Sequence, residues 1–140
     1  MILTQGEQAR LYATKGTENL DAYLKVMEAR EHVFRFNKDA NLVAIQRAEE
    51  AISMDPRYSS AYAILGKAYV GGVFFGWIAS PKEALGRAFA SAKKALSLDD
   101  SDYQGHQVLA FVHLLKREHD TAVEEGERAV SLAPNAADPV

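Results

Sequence analysis

The chain has 140 residues, with 16 Lys plus Arg against 19 Asp plus Glu and a formal net charge of −3. That length suits one domain, and 48% hydrophobic with 25% charged residues is a folding composition, which excludes a disordered chain. The acidic balance argues against nucleic-acid binding, and the absence of cysteine excludes disulfides, a thiolate zinc site and a cysteine nucleophile.

The opening MILTQGEQAR lacks the apolar core of a signal peptide. The longest apolar stretch, Tyr69–Ala79, has 11 residues and three glycines, whereas a membrane-spanning helix needs about 20. A chain without membrane insertion, in a reducing cytoplasm, is expected. Alanine is the commonest residue at 23 of 140, and alanine loses least on entering a helix. Apolar residues recur at three- and four-residue spacing, as in Ala44, Ala48, Ala51, Ile52 and Leu85, Ala88, Ala92, Ala95, Leu96. No segment sustains period-two alternation. Thr4 with Glu7 reads as a capping box, and Ser80-Pro81-Lys82-Glu83 as a stronger one. Helices are predicted over 4–14, 18–36, 39–54, 58–72, 81–98, 102–116 and 118–132, an all-α fold.

Three segments end alike: AISMDP (51–56), ALSLDD (95–100) and AVSLAP (129–134). Ala51, Ala95 and Ala129 coincide, and so do Ala44, Ala88 and Ala122 seven residues upstream. The last two copies are offset by 34 residues and the first two by 44. Thirty-four residues is the helix–turn–helix period of tetratricopeptide repeats. The middle copy carries Tyr62-x-x-Leu65-Gly66-x-x-Tyr69, which resembles the signature of that family. Gly66 would let the two helices of a repeat approach. His106, Leu109, Ala110 and His113 correspond in the third copy, and Ala29 and His32 in a degenerate first copy.

This pattern predicts an α-solenoid of antiparallel helix pairs: an N-terminal lead-in helix (1–21), a degenerate repeat (22–57), a repeat with a 10-residue aromatic insert (58–101), a third repeat (102–134) and the start of a further one (135–140). The family's arrays usually finish on a polar capping helix, so a piece of a longer protein is expected. The stretches LTQGEQARLYATKGTENLDAYLK (3–25), RFNKDAN (35–41) and AEEAISMDPRYSSAYAILGKAY (48–69) resemble the repeat region following the catalytic domain in bacterial class III adenylate/guanylate cyclases. No cyclase catalytic residue has a counterpart in this chain.

Candidate chemistry is sparse, and no cofactor or metal is expected. His106 and His113 lie seven apart, two turns along one helix face, a spacing that a metal pair or small-ligand groove could use. Both also fall where the family places packing residues, which is the preferred reading; His119 should be solvated. Asp99-Asp100-Ser101-Asp102 lacks the Gly and distal Glu of a calcium loop and reads as a turn with a helix cap. Glu49-Glu50 and Glu124-Glu125 are neighbours about 100° apart on a helix, so they read as solvated faces. Gly71-Gly72 lacks the Lys-Ser/Thr of a phosphate loop. Enzymatic activity is not expected.

Two surfaces remain for a partner. The insert concentrates Phe74, Phe75, Trp77 and Ile78, either as a partner anchor or, preferentially, as a cluster folded back on its own helix pair. The family resemblance implies a concave face lined by the first helix of each repeat: Tyr23, Val26 and Arg30, then Ser60, Ala63 and Lys67, then Gln104, Gln107 and Phe111. The family members that clamp chaperone tails carry Lys and Asn where this chain has Ala63, Gln107 and Phe111, which argues against such a clamp. The resulting expectation is a non-catalytic module that binds a protein or peptide segment within a bacterial signalling protein. The alternative is a homodimer formed through the last helix or the insert.

Overall fold

A computed structural model describes residues 4–6 and 16–133. The helix expected over 4–14 and the segment 135–140 fall largely or wholly outside these residues. Six helices follow: α1 (Leu20–Val33), α2 (Lys38–Met54), α3 (Ser59–Phe74), α4 (Pro81–Leu98), α5 (Tyr103–Leu115) and α6 (His119–Leu132). There is no strand among the described residues.

Short polar side chains set the starts. Asn19 accepts a hydrogen bond from the Ala22 amide at 3.0 Å, Asn37 from Ala40 at 2.8 Å and Asp102 from Gln104 at 3.0 Å. The expected box at Ser80 is only partly realised. Pro81 is the first helical residue, but the Ser80 side chain makes no capping bond, and Glu83 instead pairs with Arg87 at 3.1 Å. The end of α3 is built by glycine. Gly76 has φ +75°, its amide donates to the Val73 carbonyl, and the Trp77 amide donates to the Gly72 carbonyl at 2.8 Å. This double bond pattern stops a helix where a residue without Cβ adopts the left-handed conformation.

Consecutive helices pack as pairs, α1 with α2, α3 with α4 and α5 with α6, in an all-α solenoid. The first helices also touch one another, α1 with α3 and α3 with α5, while the second helices make no comparable contact. The stack is therefore tightest along α1, α3 and α5, and this is the face that lines the groove described below. The Lys25–Glu50 and Arg47–Glu28 ion pairs tie α1 to α2, and Arg47 also pairs with Glu50 within α2. The Lys25 hydrogen bond, then the charges of Arg47 and Lys25, hold the Glu50 carboxyl below its ordinary range.

Alanine fills most of the helix contacts. Ala22, Ala29, Ala44, Ala48, Ala51, Ala61, Ala88, Ala92 and Ala95 are all fully buried. Around them lie two larger clusters, one with Val26, Tyr58, Ile64 and Leu65, the other with Val70, Val108, Leu109 and Val112. Gly66 sits at a three-helix contact: a Cβ there would lie 2.9 Å from the Val108 side chain and 3.3 Å from the Ala88 carbonyl oxygen. Tyr62 and Tyr69 are only half-buried, and the Tyr62 hydroxyl reaches the Pro56 carbonyl at 2.8 Å. The aromatic core residue is Tyr58, 1% exposed between α1, α2 and α3.

Gly66→Ala is expected to lose about 1–3 kcal/mol in denaturant unfolding, the cost of overpacking a filled contact. Gly86→Ala, where a Cβ meets nothing within 4 Å, should gain up to about 1 kcal/mol from helix propensity.

Burial pushes the Tyr58 hydroxyl up to about 12, with the Arg30 charge opposing and Tyr23 and Asp102 adding to the rise. A folded value above the ordinary 10.0 means stability that is complete below pH 10 and lost as pH rises toward about 12. Unfolding curves across that window should therefore fall more steeply for the wild type than for Tyr58→Phe.

Candidate functional site

The groove along α1, α3 and α5 contains a cavity of about 280 Å³. The end of α1 and the turn after it supply Val33, Phe34 and Phe36; α2 supplies Asn41; α3 supplies Lys67, Val70, Gly71 and Phe74. The turn after α3 adds Phe75 and Trp77, and α5 adds Val108 and Phe111. Lys67 and Phe111 of the expected concave face and Phe74, Phe75 and Trp77 of the insert thus line the same cavity.

Its walls are aromatic and open to solvent. Phe36, Phe74, Phe75 and Phe111 are 60%, 63%, 48% and 48% exposed. The rings hold one another: Phe36 meets Phe34 and Phe75 edge-on with centroids at 6.4 and 6.0 Å, and Trp77 stacks on Phe75 at 4.8 Å. These are the spacings that aromatic pairs favour. Phe36 has φ +52°, a left-handed conformation that costs a bulky residue of the order of 1–3 kcal/mol and that concentrates at functional sites.

Ile78 takes the other course. It folds back onto α3, where a Cβ on Gly72 would lie 2.3 Å from its Cδ1 atom. The insert therefore divides: Ile78, and in part Trp77, pack on their own helix pair, while Phe74 and Phe75 face outward. Beneath the insert, buried Asn41 donates from Nδ2 to the Ala68 carbonyl at 3.1 Å, which fixes α2 against α3 at the pocket floor.

Polar groups occupy the other end of the groove. Tyr23, Arg30, Ser60, Gln104 and Gln107 are half-buried, whereas Val26 and Ala63 are fully buried and pack beneath the surface. Lys67 stands at the junction, its Nζ 5.9 Å from the centre of the Phe34 ring. Burial pushes its ammonium below the usual lysine range; the Arg30 charge lowers it further and Asp102 opposes. Among the described residues, neither Arg30 nor Lys67 has a carboxylate within 4.0 Å. The Asp102 carboxylate is engaged by the Ser59 hydroxyl at 2.6 Å and the Gln104 amide. The Oε1 atoms of Gln104 and Gln107 are buried without a hydrogen-bond partner among the described residues.

The histidines lie apart from this groove. His106 Nδ1 is 2.7 Å from Glu125 Oε2, joining α5 to α6, and His113 Nδ1 is 3.3 Å from Glu118. Each ring has its own carboxylate, so they are not a facing pair. Glu125, expected on a solvated face, is in fact largely buried by this contact, and Glu50 is likewise engaged in ion pairs. Asp99 accepts from the Ser101 amide and hydroxyl while Asp102 caps α5, which makes the acidic run a turn and a cap. Among the described residues no three His, Asp or Glu are placed to hold a metal, and no helix is long and apolar enough to cross a membrane.

Sequence reasoning missed Phe34, Phe36 and Asn41. For the two rings the signal was present in the FRFN run (34–37), two aromatics at the end of the helix expected over 18–36.

No family model matches the chain. The chain is 29% identical over 120 residues to a protein named putative adenylate cyclase 3 from Rhizobium meliloti (strain 1021), a match covering 86% of this chain and 20% of that protein. It is 32% identical over 91 residues to a cell division cycle protein 27 homolog from Caenorhabditis elegans, covering 65% of this chain and 10% of that one. The chain thus spans a fifth or less of these curated relatives. With the pairwise-packed helices, the similarities fit a tetratricopeptide-like repeat region.

Lys67→Met, which keeps the apolar stem and removes the charge, should raise the melting temperature at pH 7. Because the folded value lies below the ordinary 10.5, the unfolded chain binds the proton more readily and the wild type gains stability as pH rises toward 10.5. The difference between the two proteins should shrink over that approach, as thermal unfolding at stepped pH would show.

Proposed function

We propose that this chain is a non-catalytic protein-interaction module: three tetratricopeptide-like repeats (22–57, 58–101 and 102–134) that present one groove to a segment of a partner protein. The observation that carries this reading is the ring of outward-facing phenylalanines around a single cavity. Exposed aromatic groups around a concavity are the usual anchors of protein interfaces. Within a longer protein the module would act as a scaffolding or regulatory arm of a bacterial signalling protein, here a nucleotidyl cyclase. The similarity to the Rhizobium meliloti protein supports that placement.

Self-association is a second reading, favoured by the exposed Val123 and Val130 of α6 and the shallow depression that Phe111, Leu114 and Val123 share. Val123→Asp with Val130→Asp should convert a wild-type dimer to a folded monomer in light scattering if that face is the interface.

The first reading is tested by selecting a random peptide library on the immobilised chain. Wild type should enrich sequences with a large apolar residue. Phe75→Asp and Phe111→Asp should abolish enrichment while keeping helical circular dichroism, because both rings are about half exposed in the free fold. A wild-type protein that enriches nothing would sink the proposal.

A further inference from the structure

The groove is asymmetric, and the asymmetry specifies what it takes. One end is the aromatic pocket. The other offers Arg30 and Lys67, two cations within range of each other's charge and without an ion-pair partner among the described residues. Lys67 belongs to both ends, since it lines the pocket and lies over Phe34. A group that satisfies it must therefore sit beside whatever fills the pocket. Asp102 acts on Lys67 only from beyond ion-pair distance, its oxygens accepting instead from the Ser59 hydroxyl and the Gln104 backbone amide.

Resting on the interaction reading above, we infer that the occupant is an internal segment of a partner protein carrying a bulky apolar residue with an Asp or Glu within about three positions of it. The apolar side chain fills the cavity and the carboxylate lies between Lys67 and Arg30. Charge complementarity decides for an acidic segment. Two unpaired cations in a half-buried groove repel basic sequences, while a carboxylate placed there makes charge-assisted hydrogen bonds in a partly dry setting. The segment is internal because the groove continues past Lys67. Along α5, Gln107 and Gln104 follow Phe111 at successive turns toward the N-terminus, a half-buried polar stretch that leaves room for the chain to run on beyond its acidic residue.

The test uses the full 140-residue chain and a random peptide library flanked on both sides by spacer sequence, so that no selected peptide has a free carboxyl end. Enrichment of a large apolar residue with an acidic neighbour is expected. For a synthetic peptide of the enriched sequence, changing its acid to the amide should weaken binding roughly tenfold or more, the scale of a charge-assisted contact. Lys67→Met should cause a similar loss, and with Arg30→Met added the acid-to-amide change should have little further effect. Raising salt should weaken the wild-type complex and leave that of the double variant nearly unchanged. Phe36→Gly relieves the left-handed strain, so its melting temperature should hold while peptide affinity drops. Three outcomes overturn the inference: enrichment of apolar residues without acids, acid-to-amide insensitivity, or enrichment only from a second library with free carboxyl ends. All three leave the interaction reading standing; no enrichment from either library removes both.

Discussion

The structure depends on how closely its helices approach, and that distance is set by what they lack. Alanines at the buried positions of every pair, and Gly66 at the α3–α4–α5 contact, let backbones pack with little between them. A core made from small side chains has a consequence for the large ones. Once the contacts are filled by methyl groups, there is no interior volume left for six phenylalanines, and the protein can bury only rings such as Tyr58 that fall in the gaps between pairs. The remaining rings are displaced to the rim, and five of them meet at the end of one groove. The pocket follows from the close packing of the stack.

The same logic explains which parts of the fold can be read in the sequence. Helices α2, α4 and α6 begin and end within a residue or two of the spans expected from apolar spacing, because a helix buried on one face must repeat its small residues every three or four positions. Periodicity says nothing about segments between helices, and four of the pocket's rings, Phe34, Phe36, Phe75 and Trp77, come from those. Phe36 enters the pocket through a left-handed turn, and Gly72 admits Ile78 only because it has no Cβ. Tyr58 caps the start of α3 and lies outside the Tyr62-x-x-Leu65-Gly66-x-x-Tyr69 signature, so the repeat pattern points to Tyr62 instead. The His106–Glu125 contact spans 19 residues and two helices; no local pattern encodes it.

Electrostatics separates the two sides of the solenoid. Between α1 and α2, charges are matched: Glu50 gathers Lys25 and Arg47, and Arg47 also reaches Glu28. Such pairs contribute little each, yet they leave no charge stranded. In the groove the arrangement is reversed. Lys67 is desolvated beside another cation, and two glutamine oxygens are buried without donors.

Each of these features costs the free domain stability: a buried acceptor left unpaired about 1–3 kcal/mol, a bulky residue held at positive φ an amount of the same order. Those named lie along α1, α3 and α5 or the turn between α1 and α2, while a second residue at positive φ, Arg117, stands in the turn between α5 and α6. The desolvated Lys67 and the strained Phe36 share one groove with the exposed rings, and the proposed acidic, apolar segment laid along it would address the rings and the cations together.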